Sequence, residues 1–160
     1  MSYATDAQIR DRIVALLKLV TGMSATPEIT TYDDPNIVIT SAQLPGFFVG
    51  RIATGLHRLT AAHERTSIRN YTVTLVVAEF PDDNATAKAA AIAACEPFLD
   101  SVIDYLISKQ QLQLPGTDNG LPGVRNITIR DDGESESVNR GGKRYSTIVV
   151  RIDVTKLKRV

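Results

Sequence analysis

The stretch SIRNYTVTLVVAEF, residues 67–80, has the clearest β-strand pattern in the chain and decides the fold class. Apolar and polar residues alternate along it, which gives the strand one apolar and one polar side. The apolar side holds Tyr71, Val73, Leu75 and Val77, and the polar side holds Asn70, Thr72 and Thr74. A strand of this kind is typical of a sheet that is covered on one face.

Further strands are predicted on either side of this stretch. Residues 124–130 and 145–154 alternate in the same way and are expected to pair as a hairpin. The polar, glycine-containing residues 131–144 between them are expected to form a long linker. A short strand is expected at 36–40, where three consecutive apolar residues lie between two prolines.

Two amphipathic helices are predicted. The first spans about 6–20, where apolar residues recur at helical spacing after a capping-box pattern. The second begins after Asp82, Asp83 and Asn84, which supply N-cap chemistry, and spans about 85–110. Because proline lacks the amide that a helix interior needs, Pro97 predicts either a kink or two abutting helices.

These elements predict an α+β fold in a single domain over residues 1–160, in the order α-β-β-α-β-β. We expect one sheet of about four strands, mixed or antiparallel. Both amphipathic helices should pack on one face, because each strand has one apolar side to be covered. Residues 43–66 sustain no period and are expected to form a long irregular segment.

This irregular segment is also the predicted docking surface. Loops that are both long and apolar are uncommon on a monomer and usually have a partner or a function. The expected apolar anchors are Phe47, Phe48 and Leu56, and the expected polar contacts are Arg51, Arg58 and Arg65. The alternative, a loop that only covers its own core, stays open.

Composition restricts the class of protein. The chain carries 18 basic and 18 acidic residues, so no overall charge points to a nucleic acid or to a basic partner. The single cysteine, Cys95, excludes an internal disulfide framework and a multi-cysteine zinc site. No apolar stretch has the length of a signal peptide or of a membrane span. We therefore expect a soluble protein from a reducing compartment.

The balanced total conceals an uneven charge distribution. Residues 81–136 carry 4 basic and 10 acidic groups, whereas residues 137–160 carry 7 basic groups and 1 acidic group. One interpretation is that both are simply solvated faces. The other is that opposite charges on separate surfaces favour head-to-tail contacts, which can close into a ring. Arg140, Lys143 and Arg144 are interpreted in the same way, as a solvated hairpin tip or a partner contact.

Catalytic and metal-binding patterns are weak. His57 and His63 have no further ligands at suitable spacing, and Cys95 lies on the apolar side of the second helix without an activating base. Gly141-Gly142-Lys143 is followed by a strand, whereas a phosphate-binding loop is followed by a helix. The residues therefore predict no enzyme, no metal and no cofactor.

Several segments together resemble the tail terminator, or tail-completion, proteins of long-tailed bacteriophages. The resemblance rests on the N-terminal helix, on the long strand 70–80, and on three short motifs. These motifs are IVITSAQLPG at 37–46, EPFLDSV at 96–102 and YSTIVV at 145–150. The resemblance spans nearly the whole chain.

This resemblance implies a small α+β subunit that assembles as a hexameric ring, caps the finished tail tube and meets the head connector. The implied partners are further copies of the chain, the tail tube protein and a head connector or adaptor protein. DNA would pass through the ring without specific binding, and no membrane would be involved. The implied location is the neck of the virion, after assembly in the host cytoplasm. No enzymatic activity and no cofactor are implied.

Within such a ring, the lining of the channel should avoid dense positive charge, because neutralised phosphates release counterions and strengthen DNA binding. The candidates for the lumen are therefore the acidic residues of the hairpin linker: Asp131, Asp132, Glu134 and Glu136. The candidates for the subunit interface are basic residues that would meet an acidic neighbour: Arg140, Lys143, Arg144, Lys156, Lys158 and Arg159.

Three alternatives stay open. The chain could be another neck or head-completion protein of the same kind of virion. It could be a small ligand-binding domain or an enzyme whose site is built from scattered loop residues. A nucleic-acid binder could use the basic residues, although aromatic residues for base stacking are sparse among them.

Overall fold

The computed structural model describes residues 2–52, 57–61, 64–81, 84–116 and 119–159. Its α-helices and strands are, in chain order, α1 Asp6–Leu17, β1 Gly46–Ile52, β2 His57–Ala61, β3 Glu64–Phe80, α2 Ala85–Ala93, α3 Cys95–Ile107, β4 Val124–Arg140 and β5 Lys143–Arg159. The predicted α+β class is confirmed. The observed order is α-β-β-β-α-α-β-β, which has one strand and one helix more than expected.

All five strands belong to one sheet, and their pairings are antiparallel. The order across the sheet is β1-β3-β5-β4, and β2 pairs with the first part of β3 on the same side as β1. The two central strands, β3 and β5, pair from Glu64 opposite Arg159 to Phe80 opposite Arg144. The sheet therefore ends in two edges, β1 with β2 on one side and β4 on the other.

The prediction that residues 43–66 are irregular is wrong for most of that range. β1 and β2 lie end to end along β3. Phe47 and Val49 are buried on the side of the sheet that faces the helices, and Phe48 and Gly50 alternate with them. Because the second side of β1 is not polar, the alternation that marks a strand is hidden in the sequence.

The predicted long linker at 131–144 is also mostly strand. β4 and β5 continue toward each other as far as a two-residue turn, Gly141-Gly142, in which both glycines have positive φ angles. Polar residues on both sides of β4 conceal this part of the strand. A bulge interrupts the pairing between Asp131 and Ser135, where the register shifts.

The short strand predicted at 36–40 is wrong as well. These residues belong to segment 27–44, which crosses the face of the sheet opposite the helices, called here the helix-free face. Ile29, Tyr32 and Ile39 are buried there in a small second core with Val76 and Tyr145. Packing on the sheet buries these apolar side chains without a ladder of backbone hydrogen bonds.

The helices begin and end for local reasons. α1 has the predicted capping box, in which the Gln8 amide donates to Thr5 Oγ1 at 3.2 Å and the Thr5 amide donates to Gln8 Oε1 at 2.9 Å. Asn84 caps α2 by accepting from the Ala87 amide at 2.9 Å. Pro97 lies in the first turn of α3, where its missing amide has no helical partner to lose. Of the two alternatives predicted at Pro97, a kink or a pair of abutting helices, the pair of helices is confirmed.

α1 and α3 contribute to the main core, and α2 packs beside them against β3 and β5. The face of the sheet that they cover is called here the helix face. Fully buried residues from α1, α3, β3 and β5 meet there, among them Ile13, Leu16, Val102, Val73 and Val150. The sheet is thus covered by helices on one face and by segment 27–44 on part of the other.

Candidate interaction site

The edge of the sheet at β1 is covered at its beginning and open further along. The Phe47 amide donates to the Pro27 carbonyl at 2.8 Å, and the Phe47 carbonyl accepts from the Ile29 amide at 2.9 Å. Because outward-pointing amides recur at every second residue of a strand, the amides of Val49 and Arg51 point the same way as that of Phe47. Neither amide has a backbone partner on that side among the described residues.

The opposite edge, at β4, is arranged in the same way. The Ile127 amide points out of the sheet and donates to Gln110 Oε1 at 3.4 Å. By the same alternation, the amides of Ile129 and Asp131 also point outward. In the part of the chain that the structure describes, no strand pairs with this edge.

The β4–β5 turn holds segment 27–44 in place. Arg140 donates from Nε to the Tyr32 carbonyl at 2.9 Å, and its guanidinium carbon lies 4.6 Å from the centre of the Tyr32 ring. The Gly141 amide donates to the Pro35 carbonyl at 2.9 Å, and the Tyr145 hydroxyl donates to the Ile39 carbonyl at 3.1 Å. Arg140, predicted for the subunit interface, therefore has contacts within its own chain.

The predicted aromatic anchors occupy two different environments. Phe47 is fully buried in the main core, so the prediction that it docks a partner is wrong. Phe48 is half-buried on the helix-free face, where its ring stacks on Tyr32 with 5.7 Å between the centroids. Burial raises the pKa of Tyr32, which the Arg140 charge opposes. Tyr32, Phe48, Gly50 and Thr72 border a shallow cavity of about 320 Å³.

The other residues of the predicted docking set are only partly described. Arg65 is half-buried near the beginning of β3. The backbones of Arg51 and Arg58 lie in β1 and β2, on the same edge of the sheet, but their side chains lie outside the described part of the molecule, as does Leu56 altogether. The docking prediction for these four residues stays a prediction.

The acidic residues predicted to line a lumen do not share one surface. Asp131 is on the helix face, where it borders a cavity of about 400 Å³ with Cys95, Glu96 and Asp100. Glu136 is on the helix-free face, where its charge acts on the Tyr32 hydroxyl. The β4 bulge between Asp131 and Ser135 separates the two carboxylates. The side chains of Asp132 and Glu134 lie outside the described ones.

Lys156 is not an exposed cation, and its assignment to the subunit interface is wrong. Only 8% of the residue is exposed, and its Nζ atom lies 2.6 Å from Asp6 Oδ1. Arg69 Nε lies 3.6 Å from the same carboxylate oxygen, and both contacts border a cavity of about 400 Å³. Beyond an acidic residue in the first turn of α1, no local pattern signals this cluster, because its members are far apart in the chain.

The remaining basic residues of the predicted interface differ in exposure. The Lys143 side chain is 52% exposed and its Nζ atom lies 3.6 Å from Glu79 Oε2. Lys158 is exposed and Arg144 is half-buried. The side chain of Arg159 lies outside the described residues. Lys143 and Lys158 therefore stay as interface candidates with an accessible charge.

The described residues support neither Cys95 as a nucleophile nor a grouped metal site. Cys95 is buried, its thiol donates to the Ala91 carbonyl at 3.5 Å, and burial raises its pKa, which disfavours the nucleophilic thiolate. Within the described ranges, no three His, Cys, Asp or Glu side chains are grouped closely enough to hold a metal ion. The His57 side chain and the whole of His63 lie outside the described part.

Among the helices that the structure describes, none is both long and apolar enough to cross a membrane. No family model matches this chain, and no curated protein has significant similarity to it.

Proposed function

We propose that this chain is a structural subunit that forms a ring in the neck of a long-tailed bacteriophage virion. The ring caps the tail tube and joins it to the head connector, as tail terminator proteins do. The chain acts by assembly and contact rather than by catalysis. Its partners are further copies of itself, the tail tube protein and a connector or adaptor protein, and a hexameric ring is the expected assembly.

The observation that carries the proposal is that the three motifs of the resemblance pack around one sheet. Motif 37–46 belongs to the segment that covers the helix-free face and leads into β1. Motif 96–102 provides the buried side of α3, with Phe98, Leu99 and Val102 in the main core. Motif 145–150 is part of the central strand β5. These motifs are far apart in the sequence. Packing around a common sheet explains why they would occur together in one family of proteins.

A second line of support is the chemistry of the described surface. It offers two sheet edges with open amides. Protein surfaces of this kind are suited to binding other proteins.

The channel of the ring is assigned to the helix-free face near Glu136. A carboxylate there repels the DNA backbone. Further along the same face, Arg130 is paired with the exposed Arg151, and Arg130 Nη2 lies 2.7 Å from Asp153 Oδ2. Asp131 lies on the other face of the sheet and is therefore not proposed to line the lumen.

Electron microscopy tests the proposal directly. The purified chain should form closed rings in negative stain, and a gold-labelled antibody against it should mark the head-proximal end of the tail in particles of a phage that encodes it. Monomers at every concentration, together with unlabelled particles, would contradict the proposal. Label on the head side of the connector would favour the alternative of another neck or head-completion protein.

A further inference from the structure

The two open edges of the sheet run in opposite directions. Across the order β1-β3-β5-β4, each pairing is antiparallel, so β4 runs antiparallel to β1. If a second copy is placed beside the first in the same orientation, its β1 lies next to β4 of the first copy and runs antiparallel to it. The antiparallel pattern then continues from copy to copy, with the helices always on the same face.

The open parts of the two edges are at the same height in the sheet. Arg51 of β1 is paired with Tyr71, Tyr71 with Ile152, and Ile152 with Ile129 of β4. Val49 is level with Asp131 by the same route, through Val73 and Val150. Copies related by rotation about an axis along the strands would therefore bring the outward amides of β1 and β4 together without a shift along the strand.

Charge favours this pairing over the pairing of two identical edges. Residues 46–61 contain two arginines, Arg51 and Arg58, and no acidic residue. Residues 131–136 contain four acidic residues and no basic one. Two β4 edges paired around residues 131–136 would bring like charges together, which disfavours a two-fold dimer. In the register given above, β4 against β1 places Asp131 diagonally across from Arg51, while Arg58 is level with the beginning of β4 and takes no part.

We propose that the β4 edge around Ile129 and Asp131 pairs with the β1 edge around Val49 and Arg51 of a second copy of this chain, as a continuous antiparallel sheet. The inference rests on the proposed ring, for which it names the contact between subunits. A contact of this kind is head-to-tail, so it leaves one open edge at each end until the ring closes.

A proline at position 131 tests the backbone part of the contact. Asp131 is exposed and its amide points outward, so Asp131→Pro removes an edge donor without removing a hydrogen bond to β5. The matched control, Asp131→Ala, removes the carboxylate and keeps the amide. By analytical ultracentrifugation of the full chain, we expect Asp131→Pro to weaken self-association by at least about tenfold and Asp131→Ala by about two- to fivefold.

A charge exchange provides the second test and does not depend on the proline being tolerated. Arg51→Glu and Asp131→Arg should each weaken association, and the double variant should restore it to within about twofold of wild type. Circular dichroism establishes which variants fold. A folded Asp131→Pro variant that associates as strongly as wild type would overturn the edge pairing. A wild-type protein that stays monomeric would overturn it as well. If the proline variant does not fold, failure of the double variant to restore association overturns it.

The outcomes also separate this inference from the proposed function. Rings that need the β4 edge but never label tails would leave the edge pairing intact and contradict the neck function. Rings on tails that form equally well with Asp131→Pro would leave the neck function intact and contradict the edge pairing.

Discussion

Lys156 Nζ lies 2.6 Å from Asp6 Oδ1, which joins the last strand of the sheet to the first turn of the first helix. The same ammonium donates to the Ala4 carbonyl at 3.5 Å, and Arg69 Nε approaches the Asp6 carboxylate to 3.6 Å. The backbone of Asp6 is held as well, because the Tyr71 hydroxyl donates to the Asp6 carbonyl at 3.3 Å. One carboxylate thus fixes the N-terminal segment to β3 and β5.

Loss of this carboxylate should cost more than loss of the lysine. Asp6→Asn leaves two cations, Lys156 and Arg69, near each other without a counter-charge, and we expect a loss of about 2–3 kcal/mol in the free energy of unfolding. Lys156→Met fills the space of the lysine stem and leaves Asp6 with Arg69, so we expect about 1 kcal/mol. Urea unfolding followed by circular dichroism measures both. Strictly additive losses in the double variant would show that the pair is not coupled.

The turn between β4 and β5 allows a matched comparison of two adjacent glycines. Gly141 has a φ of +57°, and a Cβ atom there would collide with the Ile37 carbonyl oxygen, whereas Gly142 has a φ of +78° and open space around it. Gly142→Ala should cost only the backbone strain of about 1 kcal/mol. Gly141→Ala should cost about 2–4 kcal/mol, because it must also displace segment 27–44. Equal urea midpoints for the two variants would contradict the contact with Ile37.

The sequence predicts the elements that have one apolar and one polar side. It misses strands without that alternation: β1, which is apolar on both sides, and the second half of β4, which is polar on both. β3 and the helices have one apolar side and were predicted close to their true bounds. β1 has Phe48 on the side opposite Phe47 because segment 27–44 covers that side too, and no local pattern signals a cover supplied by distant residues. The predicted docking residues and the predicted lumen residues were chosen from segments that were expected to be loops. Because these segments are strands, their residues lie on two faces and one edge of the sheet.

Alkaline pH should destabilise the fold through its buried tyrosines. Burial, and next the charge of Glu79, raises the pKa of Tyr145, which is 1% exposed. Above about pH 10 the unfolded chain loses its phenol proton while the folded chain keeps it, so the stability contribution is complete below pH 10 and is lost as the pH rises.

Tyr145→Phe removes this titration and the hydrogen bond to the Ile39 carbonyl at the same time. At pH 7 the variant should be less stable by about 1–2 kcal/mol, because the carbonyl loses its donor. Between pH 10 and 11 its stability should fall less steeply than that of wild type, by up to about 1.4 kcal/mol per pH unit. Parallel stability curves for the two proteins over this range would contradict the assignment of the titration to Tyr145.

Lysine substitutions at Asp131 and Glu136 should produce different defects, because the two carboxylates lie on opposite faces of β4. Glu136→Lys places a cation on the face assigned to the channel, so rings should form normally while DNA passes more slowly, since each added phosphate contact strengthens binding. Asp131→Lys changes the edge proposed to meet the Arg51 region of the next copy, so fewer rings should form.

The control is Asp104→Lys, on the exposed side of α3, which makes the same charge change and should affect neither ring formation nor DNA passage. Ring counts in negative stain and the kinetics of DNA ejection from assembled particles measure the two effects. If both substitutions slow ejection and leave ring formation unchanged, Asp131 faces the channel and the assignment of the two faces is wrong.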